Sequence, residues 1–97
     1  MSVAEKTLAV IGTGEENAVS LEQLINVTGL PNRDVRKLIE SLRRSGHIII
    51  SSNAGYFYPE TVEELMKYIR KERSRARSIL RTLHSARELL ADWGDTP

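Results

Sequence analysis

The stretch Ser20–Gly46, SLEQLINVTGLPNRDVRKLIESLRRSG, decides the fold. Its first half opens on Ser20, a good helix N-cap, with Gln23 at the capping-box position three residues later and Gly29 as the C-terminal stop. Leu21, Leu24 and Ile25 make the inner face of a helix about two turns long. The second half starts at Pro31 and Asn32, proline suiting the first turn and asparagine the cap, and ends at Gly46. Val35, Leu38, Ile39 and Leu42 fall at i, i+3, i+4 and i+7, a single apolar stripe. Arg33, Arg36, Lys37, Glu40, Arg43 and Arg44 lie mostly on the opposite, solvent-facing side.

Towards the N-terminus, Val3, Ala4, Leu8 and Ile11 recur at helical intervals before Gly12 and Gly14, which predicts a first helix from Val3 to Ile11. Ala18, Val19 and Ser20 are read as a brief strand. After Gly46, the β-branched run His47–Ser51 reads as a strand, Ser52–Gly55 as a turn in which Asn53 and Gly55 tolerate positive φ, and Tyr56–Tyr58 as the returning strand. Alternation sends Phe57 to one face and Tyr56 and Tyr58 to the other, at least one face closing the core under the third helix. Two helices joined by a tight turn, followed by a hairpin, give the order α-β-α-α-β-β of a winged helix.

The residues from Val19 to Tyr58 resemble the bacterial winged helix-turn-helix domain of the biotin-repressor type, in the spacing of Leu24, Gly29, Val35, Ile39, Leu42 and Gly46 and in the Gly55–Tyr56 pair. The resemblance implies double-stranded DNA binding, with the third helix in the major groove and the hairpin along the backbone. Carried over position by position, Asn32, Arg33, Arg36 and Lys37 face the groove, Arg43 extends that cationic face, and Ser52, Asn53 and Ala54 supply the wing contacts. The departures are that no ligase domain follows, so biotin chemistry is not implied, and that the wing tip carries no Lys or Arg. A short winged helix with a basic tail is also similar to small proteins of phages and mobile elements.

Thr61 as N-cap, Glu64 at the capping-box position and no Gly or Pro until Gly94 predict a long helix from Thr61 to about Ala91. At ~1.5 Å per residue such a helix is about 45 Å long, more than a domain of this size covers. Val62, Ile69, Ala76, Leu83 and Leu90 recur at one heptad position and Leu65, Ile79, Ala86 and Trp93 at another, Glu72 interrupting the second series. Ile79, Leu80, Leu83 and Leu90 lie beyond the reach of the chain's own core and are the expected homodimer interface. Arg70, Lys71, Arg77 and Arg81, with Lys67, form a cationic stripe on the same helix, and Ser74 lies within it. The resulting division is residues 1–59 as the winged helix-turn-helix domain, 60–93 as the dimerisation helix and 94–97 as a disordered tail.

Charge distribution agrees with a polyanion partner. The net charge is +1, but residues 1–30 hold one Lys against four Glu, whereas residues 67–87 hold eight Lys or Arg against Glu72 alone. The 97-residue chain has no cysteine, which excludes disulfides and thiolate metal sites. No apolar run approaches the ~20 residues that span a bilayer, and a cytoplasmic protein is the default. His47 and His84 lack partners at metal spacing, and IGTGEEN (Ile11–Asn17) follows a helix and lacks a phosphate-binding Lys. No enzyme, cofactor or metal is expected. The sequence therefore reads as a small bacterial or phage transcriptional regulator, or alternatively as a winged-helix protein-protein adaptor in a DNA replication or partition complex.

Overall fold

The computed structural model describes residues 1–94 and is mainly helical, with one small sheet. In chain order come α1 (Val3–Val10), β1 (Gly12–Thr13), a 3-10 turn (Glu15–Asn17), α2 (Leu21–Thr28), α3 (Asn32–Arg44), β2 (Ile50–Ser52), β3 (Gly55–Tyr58) and α4 (Val62–Asp92). The chain divides into two compact units, the first Met1–Leu65 and the second beginning at Met66. The expected tail beyond Gly94 lies outside the described residues.

Local chemistry explains the helix ends. Ser2 caps α1 through a reciprocal box with Glu5, and Ser20 does the same for α2 with Gln23. Gly29 closes α2 in the left-handed conformation at φ 73°, a region glycine enters without steric cost. At α3 the cap differs from the expectation. Pro31 occupies the N-cap position with extended backbone and no side-chain cap bond, so Asn32 is the first helical residue instead of the cap. Thr61 and Glu64 form the expected reciprocal cap at α4.

The core of the first unit is built on the stripes read from the sequence. Leu24, Val35 and Ile49 are wholly buried, joined by Ile11, Ile39 and Leu42. Leu38 is only half-buried at the edge of this cluster. Tyr56 and Tyr58 pack against the cluster, and the Tyr58 hydroxyl donates to the Leu8 carbonyl at 2.8 Å. Phe57, one residue between them, is buried outside that cluster and pairs with Ile50 across the strands. The alternation expected of the returning strand is therefore present.

The sheet departs from the expectation in three respects: the strand read over His47–Ser51 is confined to Ile50–Ser52, a third strand is present, and the strand read at Ala18–Ser20 is not. It has three strands in the order β1-β3-β2, and β1 runs parallel to β3 in the register Gly12↔Phe57 and Thr13↔Tyr58. The brief strand expected at Ala18–Ser20 is absent. Val19 forms only an isolated bridge with Tyr56, because Ala18 closes the 3-10 turn before it and Ser20 already caps α2 after it. Gly55 makes that bridge possible: at φ 125° a side chain there would drive its Cβ into the Val19 carbonyl oxygen. Asn53 does not take positive φ, leaving the strained turn position to Gly55.

The start of α4 is tied back to the 3-10 turn by one carboxylate. Glu64 accepts from the backbone N–H groups of Glu60 at 2.8 Å, Glu15 at 3.0 Å and Thr61 at 3.1 Å. These donors, the Glu60 N–H first, stabilise the carboxylate and hold its pKa below the ordinary glutamate range. A carboxyl depressed in the folded state adds stability above its unfolded pKa and loses it as pH falls through the folded value. Glu64→Gln should therefore lower the urea midpoint at pH 7, and the gap to the parent should close as pH falls below about 4. A gap of equal size at pH 3 and pH 7 would contradict the charged-acceptor role.

Candidate nucleic-acid interface

The N-terminal half of α3 presents Asn32, Arg33, Arg36 and Lys37, all exposed, while Val35 and Ile39 on the other side are buried. The separation follows from the helical period, since residues three and four apart share a face. Asn32 and Arg36, four apart, are joined: Arg36 Nε donates to Asn32 Oδ1 at 2.7 Å. The bond engages Nε and restrains the guanidinium, whose two terminal amino groups remain donors suited to a bidentate acceptor. The i, i+4 spacing is present in the sequence, but an asparagine beside a proline reads as a helix cap, and it is the helical position of Asn32 that brings it to Arg36.

Arg36 also lines a cleft of about 350 Å³ with Ser20, Leu21, Tyr56 and the hairpin residues Ser51–Gly55. Of the exposed face of α3, Arg36 alone borders this cleft beside the hairpin turn. Within the turn, Ser52 Oγ accepts from the Ala54 N–H at 3.1 Å, while Asn53 and Ala54 are exposed.

Arg43 has a different position. It is half-buried, with Nε donating to the Ile49 carbonyl at 2.8 Å and a terminal nitrogen 3.4 Å from Ser51 Oγ, so it ties α3 to the strand β2. The sequence placed it among the cations of α3, and only the return of the hairpin reveals this use. Arg44 pairs loosely with Glu40 at 4.0 Å, an exposed i, i+4 pair of small energetic weight.

In the second unit, α4 carries two faces. At roughly 100° per residue, Lys67, Arg70, Lys71, Ser74, Arg77 and Arg81 fall within an arc of about 120°, and Ile79, Leu83 and Leu90 lie on the opposite side. The cations of that arc are exposed, as are Ile79 (60%), Leu80 (62%) and Leu83 (42%), while Leu90 is half-buried. His84 Nε2 lies 3.0 Å from Glu88 Oε1 on the helix surface. No helix among the described residues is long and apolar enough to cross a membrane, and none of their His, Asp or Glu side chains group in threes as a metal site would require.

No protein-family model, curated protein or solved structure matches this chain.

Proposed function

We propose that the chain is a winged-helix protein that binds double-stranded DNA, with α3 entering the major groove, acting as a small bacterial or phage transcriptional regulator. The observation that carries this reading is the exposed cluster Asn32, Arg33, Arg36 and Lys37, with Arg36 held in position by Asn32. An arginine presented as a fork suits the two acceptors on a guanine edge, and exposed lysines and arginines beside it suit phosphates. The helix order and the hairpin adjoining α3 support the same reading. In this assignment Arg43 serves the fold, and Ser52, Asn53 and Ala54 contact the backbone through uncharged groups.

The cationic arc of α4 adds a term independent of base sequence. Each phosphate contact releases counterions, steepening the salt dependence by about 0.9 per contact. Arg77→Gln with Arg81→Gln should weaken binding to all duplexes alike and flatten the slope of log affinity against log salt by ~2. An unchanged slope in a salt titration would assign these arginines to solvation only.

The apolar face of α4 supports a homodimer, since a run of exposed Ile79, Leu80 and Leu83 on one helix is costly to leave in water. Leu83→Glu puts a carboxylate into the seam and should shift sedimentation equilibrium from dimer to monomer at micromolar concentration. A variant as dimeric as the parent would move the interface elsewhere.

A second reading has one observation in its favour. The hairpin tip Ser52–Asn53–Ala54 presents no cation, which suits a protein partner better than phosphate, as in an adaptor of a replication or partition complex. Mobility shift with random duplex separates the two, because an adaptor retains no DNA.

A further inference from the structure

The seam of α4 is compatible with parallel or antiparallel pairing, and its charge distribution favours one of them. Residues 67–80 hold six cations against Glu72, a balance of +5, whereas residues 82–94 hold Arg87 against Glu88 and Asp92, a balance of −1 with His84 neutral. In a parallel pair the two +5 segments run alongside one another, with Arg73 and Arg75 on the seam flanks and the other four cations on the outer arc. In an antiparallel pair each lies beside the −1 segment of the other copy. Glu72 points the same way. It occupies a seam position and pairs on its own helix with Arg75 at 3.9 Å. Parallel pairing sets Glu72 against Glu72 across the seam, two carboxylates in a partly dehydrated site.

Resting on the pairing of α4 proposed above, we infer that the partner of this helix is a second copy running antiparallel, with Ile79 of each copy opposite Leu83 of the other. Three consequences of this register agree with the exposed residues. Ala76 meets Ala86 of the second copy, permitting close approach of the backbones. Leu80, 62% exposed beside the seam, meets Leu80 of the second copy, whereas a parallel pair sets it against Arg75. Trp93, 75% exposed, meets Ile69 instead of stacking on its own counterpart. The one like-charged flank that results, Arg73 beside Arg87 of the second copy, has Glu72 and Glu88 as its sequence neighbours. With a rise of ~1.5 Å per residue, the two Met66 residues stand about 45 Å apart, against about 10 Å in a parallel pair.

The absence of cysteine allows a direct test in the whole chain. Ala76→Cys and Ala86→Cys are prepared separately, and each alone and an equimolar mixture are oxidised and run on a non-reducing gel. A disulfide needs Cα atoms within about 7 Å. The antiparallel register predicts cross-linked dimer in the mixture and little in either variant alone; efficient cross-linking of each variant alone would overturn it. Spin labels on a Lys67→Cys variant give an independent reading, about 40 Å for antiparallel and about 20 Å or less for parallel pairing. Sedimentation of the same variants distinguishes the two levels of failure. A monomer refutes the pairing itself, and a dimer with a short label distance refutes only its direction.

Discussion

Alanine at both Arg36 and Lys37 should lower the affinity for the preferred DNA duplex by about 30-fold or more, at ~1 to 3 kcal/mol for each lost base-reading contact. Both side chains are exposed on the face of α3 away from Val35 and Ile39, so the unfolding free energy should stay within about 0.5 kcal/mol of the parent. Asn32→Ala offers a finer test. It removes the acceptor that holds Arg36 Nε and should reproduce part of the Arg36 loss without deleting a cation. Its signature is reduced discrimination between sequences at a nearly unchanged salt slope, whereas Lys37→Ala alone should change the slope if Lys37 contacts phosphate. Equal binding by parent and double variant at ~0.15 M salt would remove α3 from the interface.

Leu24→Ala should cost ~2 to 5 kcal/mol of stability, because Leu24 is wholly buried among Val35, Ile39, Leu42 and Ile49. A domain of this size has on the order of 5 to 15 kcal/mol in total, so the variant should be partly unfolded at 37 °C. Leu38→Ala, on the same stripe but half-buried, should cost clearly less. The pair of measurements, by urea denaturation, separates loss of DNA binding through unfolding from loss through missing contacts. A Leu24→Ala midpoint equal to the parent's would mean that the α2–α3 packing is wrong.

The helices were legible because their signals are local. Ser20 with Gln23, Gly29, and Thr61 with Glu64 fix ends within a few residues, and the spacing of Val35, Ile39 and Leu42 fixes a face. The third strand was not legible. Gly12–Thr13 has no alternation to read, and it becomes a strand only because β3, more than forty residues later, offers a parallel edge. Val19, β-branched and flanked by turn residues, looked like the strand and proved to be a single bridge. The same division holds at the candidate interface. Periodicity puts Arg33, Arg36 and Lys37 on the solvent-facing side of the helix and the resemblance adds Asn32 to them, while the use of Arg43 by the Ile49 carbonyl depends on where the hairpin returns. The tie from Glu64 to the Glu15 N–H likewise spans the first unit, and no local pattern announces it.

The most direct measurement is selection from a pool of random-sequence duplexes with the purified full chain at ~0.15 M salt, followed by sequencing of the retained DNA. DNA binding through α3 predicts enrichment of a discrete sequence, arranged as two half-sites if the chain pairs, and loss of that enrichment in the Arg36→Ala, Lys37→Ala variant. Retention of no duplex above background, or enrichment unchanged by those two substitutions, would contradict it.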